Sequence, residues 1–251
     1  METNATAVLP AWALSYDQPD KYKSLAADWA ARLGDPEFEI LETALFLDEV
    51  GMSTQAERLV RAILVDHAPP GRYDFMPYYY LAWFAAKRQD KTAMKQWLEE
   101  AIKHPSPRRF ASRVEEVEIL RLATTENPTD GQAWFQLGCL LANLGRIEEA
   151  VPAWKKAAEL NPQNSVAWRN LGLEATTRND LASAEKSYRQ AIQVRPDDQT
   201  LYRDLAKILI ASNRRSEAIE LLEKMPIPNV RRADITVMLA QAYLDENRYD
   251  D

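Results

Sequence analysis

The sequence predicts an all-α chain of stacked helix pairs, and three observations carry that prediction. Residues 131–164 and 165–198 are tandem 34-residue units that agree in phase. Trp134 matches Trp168, Leu137-Gly138 matches Leu171-Gly172, Ala150 matches Ala184, Trp154 matches Tyr188, Ala157 matches Ala191 and Pro162 matches Pro196. Within a unit, Trp134, Leu137, Leu141 and Leu144 lie three or four apart, which places them on one helical face. No stretch shows the strict alternation of a half-buried strand.

Each matched position has a physical reason. Gly138 falls where a neighbouring helix must approach closely, and a side chain there would push it away. Gly145 follows the first helix and suits a left-handed C-terminal cap. Ala150, Trp154 and Ala157 make the inner face of a second helix, two small residues around one large one. Asn161-Pro162 and Arg195-Pro196 stop the second helices, because proline disfavours helical geometry in the residue before it. No unit buries its apolar face alone, so stacking is obligatory. With this period and these residues, the stretch resembles the tetratricopeptide repeat. The resemblance implies a right-handed α-α superhelix of antiparallel helix pairs whose first helices line a concave, peptide-binding groove.

Phased against this pair, the rest of the chain falls into place. Residues 1–20 hold Pro10 and Pro19 with no helical period and read as an extended lead-in. Residues 21–107 read as N-terminal, degenerate repeats. Lys21 to Leu33 is a helix ended by Gly34, and Asp35-Pro36 opens the next as N-cap and first-turn proline. Residues 37–70 form a weaker unit with Ala44 at the close-approach place, Gly51 at the turn and Ala56 as the small residue. Residues 71–74 read as an insertion. Residues 75–107 read as a unit one residue short in its turn, with Leu81-Ala82, Ala93, Trp97 and Pro105 in the signature places. Residues 108–130 read as an orphan joint helix, a second helix lacking its first, opened by a capping box Ser112-Arg113-Val114-Glu115 and closed by Asn127-Pro128. Residues 131–251 read as the C-terminal array. In residues 199–232, Met225-Pro226 and Pro228 cut the second helix short. The last unit, from residue 233, stops at Asp251, one residue before the small residue of its second helix is due. A repeat array normally ends in a polar cap, so the expectation is a piece of a longer protein, with self-association through the truncated repeat.

Composition narrows the function. The net charge of −7 and the lack of a basic footprint argue against nucleic acid. A single cysteine, Cys139, allows neither an internal disulfide nor a thiolate zinc cage. No apolar run reaches the roughly 18 residues of a membrane span, and no signal peptide is visible, so the expected setting is the cytoplasm, away from membranes. No HExxH, GxSxG, phosphate-cradling loop or cysteine–histidine pairing occurs, and the reading is a non-enzyme with no cofactor and no metal. His67 and His104 read as helix-end residues facing the dipole. Glu115, Glu116, Glu148 and Glu149 read as capping or solvated carboxylates, and the aromatic run Phe75 to Phe84 reads as core.

A narrower resemblance covers Pro107 to Leu173. The helix RVEEVEILRLATTENP followed by WFQLG and VAWRNLGL units looks like the C-terminal helical region of large bacterial proteins in which an uncharacterised, carbohydrate-related β-rich domain precedes the repeats. It implies, as an alternative, a helical appendage of such a protein. The repeat resemblance itself implies a peptide groove on the first helices, carried here by Gln136, Asn143, Arg169, Asn170, Arg203 and Lys207. Its basic members would grip an acidic or C-terminal carboxylate. Phe135, Cys139 and Asp204 break the lysine–asparagine clamp with which chaperone-binding members hold their ligand.

Overall fold

A computed structural model describes residues 36–66, 75–104, 110–226 and 233–245. The lead-in, the helix at Lys21 to Leu33, the cap Asp35, the insertion at 71–74, His67 and Pro105 lie outside the described residues. Every regular element described is an α-helix: α1 Pro36–Glu49, α2 Ser53–Asp66, α3 Met76–Lys87, α4 Lys91–Ile102, α5 Glu116–Glu126, α6 Gly131–Asn143, α7 Ile147–Leu160, α8 Ser165–Thr177, α9 Leu181–Val194, α10 Gln199–Ala211, α11 Arg215–Glu223 and α12 Ala233–Asp245. The chain divides into two compact units, Met1–Gln132 and Ala133–Asp251.

The turn between paired helices recurs with one backbone signature. Gly51, Gln89, Gly145, Asn179 and Asn213 all have positive φ, between 59° and 82°. Glycine takes this conformation without penalty, and asparagine more readily than most residues. The amide three residues past the end of these first helices bonds back into each: Arg146 N to Leu141 O at 2.8 Å, Asp180 N to Ala175 O at 2.8 Å and Arg214 N to Leu209 O at 2.8 Å. Second helices then stop at residues pulled out of helical geometry by the next proline, Asn161 (φ −132°, ψ 85°) and Arg195 (φ −130°, ψ 77°). Asn127, before Pro128, ends α5 in the same conformation (φ −130°, ψ 80°).

Gly138 and Gly172 explain why the repeat needs glycine. A Cβ on Gly138 would lie 2.6 Å from Trp154 Cδ1, and one on Gly172 would lie 3.0 Å from Tyr188 Cζ. The aromatic ring of the second helix lies against bare backbone of the first. The partner tryptophan of the signature works in the loop: Trp168 Nε1 donates to Pro162 O at 3.0 Å.

Two expectations are corrected in the first unit. The turn within residues 75–107 is not one residue short. Gln89 holds the left-handed place, and the buried inner positions of α4 are Met94, Leu98 and Ala101. These keep the spacing of Ala150, Trp154 and Ala157, whereas Ala93 and Trp97 stay half-buried. Methionine fills the small-residue place because its unbranched side chain adapts to irregular gaps. The capping box also moves by one. Glu115 caps nothing with its side chain. Glu116 reaches back instead, accepting from Ser112 N at 2.8 Å and Arg113 N at 3.1 Å. In the last pair α11 is short, nine residues, as Met225-Pro226 predicts, yet Met225 remains buried in the place of Ala157 and Ala191.

Glu116 is far from solvated, being 2% exposed. Besides the two amides, it accepts from Tyr80 Oη at 3.0 Å and Arg113 Nη1 at 3.2 Å. The Arg113 guanidinium also donates to Phe38 O at 2.7 Å and stacks on the Phe38 ring. One buried carboxylate thus joins α1, α3 and the start of α5. Beside it, Tyr79 Oη donates to buried Asp130 at 2.8 Å. Burial, and next the carboxylate each one meets, holds the Tyr79 and Tyr80 hydroxyls well above the usual phenol range. The aromatic run is therefore core, with Tyr79, Tyr80 and Phe84 buried and Trp83 half-buried under the Lys87 ammonium.

Candidate functional site

In the second unit the first helices α6, α8, α10 and α12 are about one repeat apart, and polar side chains on their shared face meet across repeats. Asn170 Nδ2 donates to Cys139 Sγ at 3.8 Å. Arg169 Nε lies 3.9 Å from Asp204 Oδ2. Arg203 donates to Asp204 Oδ1 through Nε at 2.9 Å and Nη2 at 2.7 Å, and to Asp234 Oδ2 through Nη1 at 3.0 Å. Its hydrogen bonds to Asp204, and then to Asp234, push the Arg203 guanidinium above its ordinary value. The result is an ionic ladder that crosses α8, α10 and α12.

The predicted groove residues fare differently. Arg169, Asn170, Arg203 and Lys207 share this face. Asn143 is exposed at the end of α6. Gln136 is not a surface contact, because it is 1% exposed. The reason is helical phase: Ala133 and Leu140, three residues before it and four after, are completely buried, so Gln136 sits in the same inward stripe. Phe135 is buried too. The expected modestly basic surface is also corrected. Asp204 and Asp234 balance Arg169 and Arg203, and Lys207 is exposed on this face with no ion-pair partner among the described residues.

Asp234 is the member that sequence reasoning missed. Arg203 and Asp234 are 31 residues apart, as are Cys139 and Asn170. In a 34-residue repeat this separation joins neighbouring first helices nearly one turn out of register. That spacing is the signal that would have found it.

Cys139 is half-buried. Burial pushes its thiol up to about 11, while the hydrogen bond from Asn170 pulls the other way. The thiolate is the reactive form, so thiol labelling of the native chain at pH 8 is expected to be far slower than labelling in denaturant. Equal rates in both states would contradict the burial.

His104 is not a dipole-facing residue alone. Its ring stacks on Tyr78, centroids 4.5 Å apart, and Nε2 lies 3.4 Å from Glu100 Oε1. Among the described residues no group of three or more His, Cys, Asp or Glu could hold a metal ion, and no helix is long and apolar enough to cross a membrane.

Comparison with known proteins agrees with the repeat. Residues 131–164 and residues 175–233 each match a family described as tetratricopeptide repeat, together less than half of the chain. No curated protein sequence matches. Among solved structures, a crystal structure of MamA is 15% identical, covers 87% of this chain and 98% of its own, and superposes with a TM-score of 0.43. MamA from AMB-1 is 17% identical, with coverages of 80% and 96% and a TM-score of 0.45. PilF of Pseudomonas aeruginosa is 16% identical, with coverages of 87% and 88% and a TM-score of 0.48.

Proposed function

We propose that the chain is a non-enzymatic scaffold that holds a protein or peptide partner on the first-helix face of residues 133–251. The observation that supports this is the ladder itself. Successive repeats place Asn170, Arg169, Arg203 and Lys207 on one face, and the guanidinium of Arg203 is fixed by two carboxylates. Donors already held in place cost less ordering on binding than free side chains do. A carboxylate-bearing partner would take the place of Asp234 on Arg203 and pair with Lys207. Asn143 continues the same face toward the N-terminal end of the array. The alternative of a helical appendage to a larger carbohydrate-related protein has only the resemblance of residues 107–173 in its favour.

The test is selection of a random peptide library on the wild type, followed by titration of the selected peptides. The Arg169→Glu/Arg203→Glu double variant reverses two charges on this face and is expected to bind at least about tenfold more weakly, the change that about 1.4 kcal/mol produces. Equal binding by both proteins would remove this face from consideration.

A further inference from the structure

Helix α12 carries two apolar stripes. Ile235, Leu239 and Ala242 face inward and are buried. On the opposite side Ala233, Val237, Ala240 and Leu244 are spaced four, three and four apart, so they form one continuous stripe. All four are exposed, Val237 at 69% and Leu244 at 52%. Ala240 occupies the repeat place of Gly138, Gly172 and Ala206, all three of which are buried. The stripe is therefore a packing surface without its partner among the described residues, and its spacing is that of a seam between two helices.

We infer that a second copy of the chain covers this stripe, with the two α12 helices antiparallel about a two-fold axis. The order of the residues selects that occupant. Run antiparallel, Val237 of one copy faces Ala240 of the other, and Leu244 faces Ala233. Both pairs are centred on one point, between Met238 and Leu239, so a single register satisfies them together. Each large side chain then meets a small one, the arrangement that lets facing layers interdigitate. A parallel pairing would set leucine on leucine and leave gaps between the alanines. Charge agrees with the antiparallel choice. At the N-terminal end of α12, Asp234 is held by Arg203 at 3.0 Å. At the C-terminal end, Asp245 lies 3.8 Å from Arg215. Each end thus carries one acid and one arginine, and antiparallel pairing lays one end on the other without an excess of like charge. With Lys207, the cleft beside α12 holds three cations and two anions, so its charge singles out neither an acidic nor a basic ligand. A two-fold contact uses the same patch twice and must be complementary to itself, as this stripe is. The contact does not depend on the scaffold reading, but both use Val237, so a bound peptide and a second copy exclude one another.

Sedimentation velocity of the full chain over a concentration series is expected to show a monomer–dimer equilibrium. One helix from each copy makes less than a standard interface, so the dimer should appear at the concentrated end of the series. Val237→Asp places a charge in both equivalent contacts and should weaken dimerisation at least tenfold. Leu244→Lys, at the other large exposed residue, should do the same. Both positions are mostly exposed, and circular dichroism spectra matching the wild type would show that the helices remain. Oxidative cross-linking reads the orientation. A mixture of Ala233→Cys and Leu244→Cys chains should give at least tenfold more disulfide dimer than either variant alone, with the wild type, which keeps Cys139, as the blank. A chain that stays monomeric throughout, a dimer that neither Val237→Asp nor Leu244→Lys weakens, or cross-linking of either cysteine variant mainly to itself would overturn the inference. A monomeric wild type in which a library-selected peptide shifts the Val237 amide would give the stripe to a peptide, so that this inference fails while the scaffold reading stands.

Discussion

Replacing Gly138 by alanine is expected to destabilise residues 133–251, although alanine is the better helix former by about 1 kcal/mol. The two effects oppose each other, and contact distance decides between them. The new Cβ would sit 2.6 Å from Trp154 Cδ1 and 2.8 Å from its Nε1. Trp154 is buried, its ring has no flexible end to swing away, and Ala150 and Ala157 on either side of it are completely buried. Overpacking of this kind costs about 1–3 kcal/mol. The sign is therefore a net loss, read as a lower denaturant midpoint. Gly172→Ala is the internal comparison, because its Cβ would meet Tyr188 at 3.0 Å and a shift of a few tenths of an ångström relieves it. Its loss should be clearly smaller. Combining Gly138→Ala with Trp154→Leu should recover part of the loss, since the clash partner is then gone. A raised midpoint for Gly138→Ala would mean that the ring is not where the structure puts it.

The second large effect lies in the first unit. Glu116→Ala removes the acceptor of Ser112 N, Arg113 N, Arg113 Nη1 and Tyr80 Oη together. Arg113 would be left as a charge whose buried partner is missing, a change that typically costs about 3–5 kcal/mol. Tyr80→Phe removes one hydrogen bond only and should cost about 1 kcal/mol. The two midpoints, followed by the far-ultraviolet signal, should therefore separate widely. If both variants lose the same small amount, the carboxylate does not join the three elements. Hydrogen exchange adds a second readout: in Glu116→Ala the amides of Ser112 and Arg113 should lose protection.

Much of this architecture is legible in the sequence because a repeat supplies its own internal standard. Gly138 facing Trp154, Gly145 in a left-handed turn and Asn161 bent ahead of Pro162 all follow from matching one unit with the next. Where the signature fades, so does the reading. In residues 75–107 Trp97 attracts the aromatic place, but the buried residue is Leu98. A tryptophan can stay half-buried when its ring packs along the surface, as here beside Tyr78 at 6.4 Å and under Arg61 at 5.1 Å. The role of Glu116 was hidden for a related reason. Glu115 and Glu116 both suit the pattern of a helix start, and only the helix phase sets which one turns inward toward Tyr80.

The site was legible in part. Repeat phase puts Arg169, Asn170, Arg203 and Lys207 on one face. Phase alone does not reveal that Asp234, from the next repeat, closes on Arg203, because the pairing depends on side-chain reach between helices one turn out of register. Gln136 shows the same limit. It occupies the repeat position of Asn170, yet fully buried Leu140 is the counterpart of half-exposed Glu174, so its helix turns that position inward.

On the proposed function, partners bind the first-helix face of the second unit. Amide chemical-shift mapping with a library-selected peptide tests it most directly. The largest shifts are expected on Asn170, Arg203, Lys207 and Val237, with α7 and α9 unmoved. Shifts concentrated on the exposed residues of α7 and α9, such as Lys155 and Lys186, with the ladder unchanged, would contradict it.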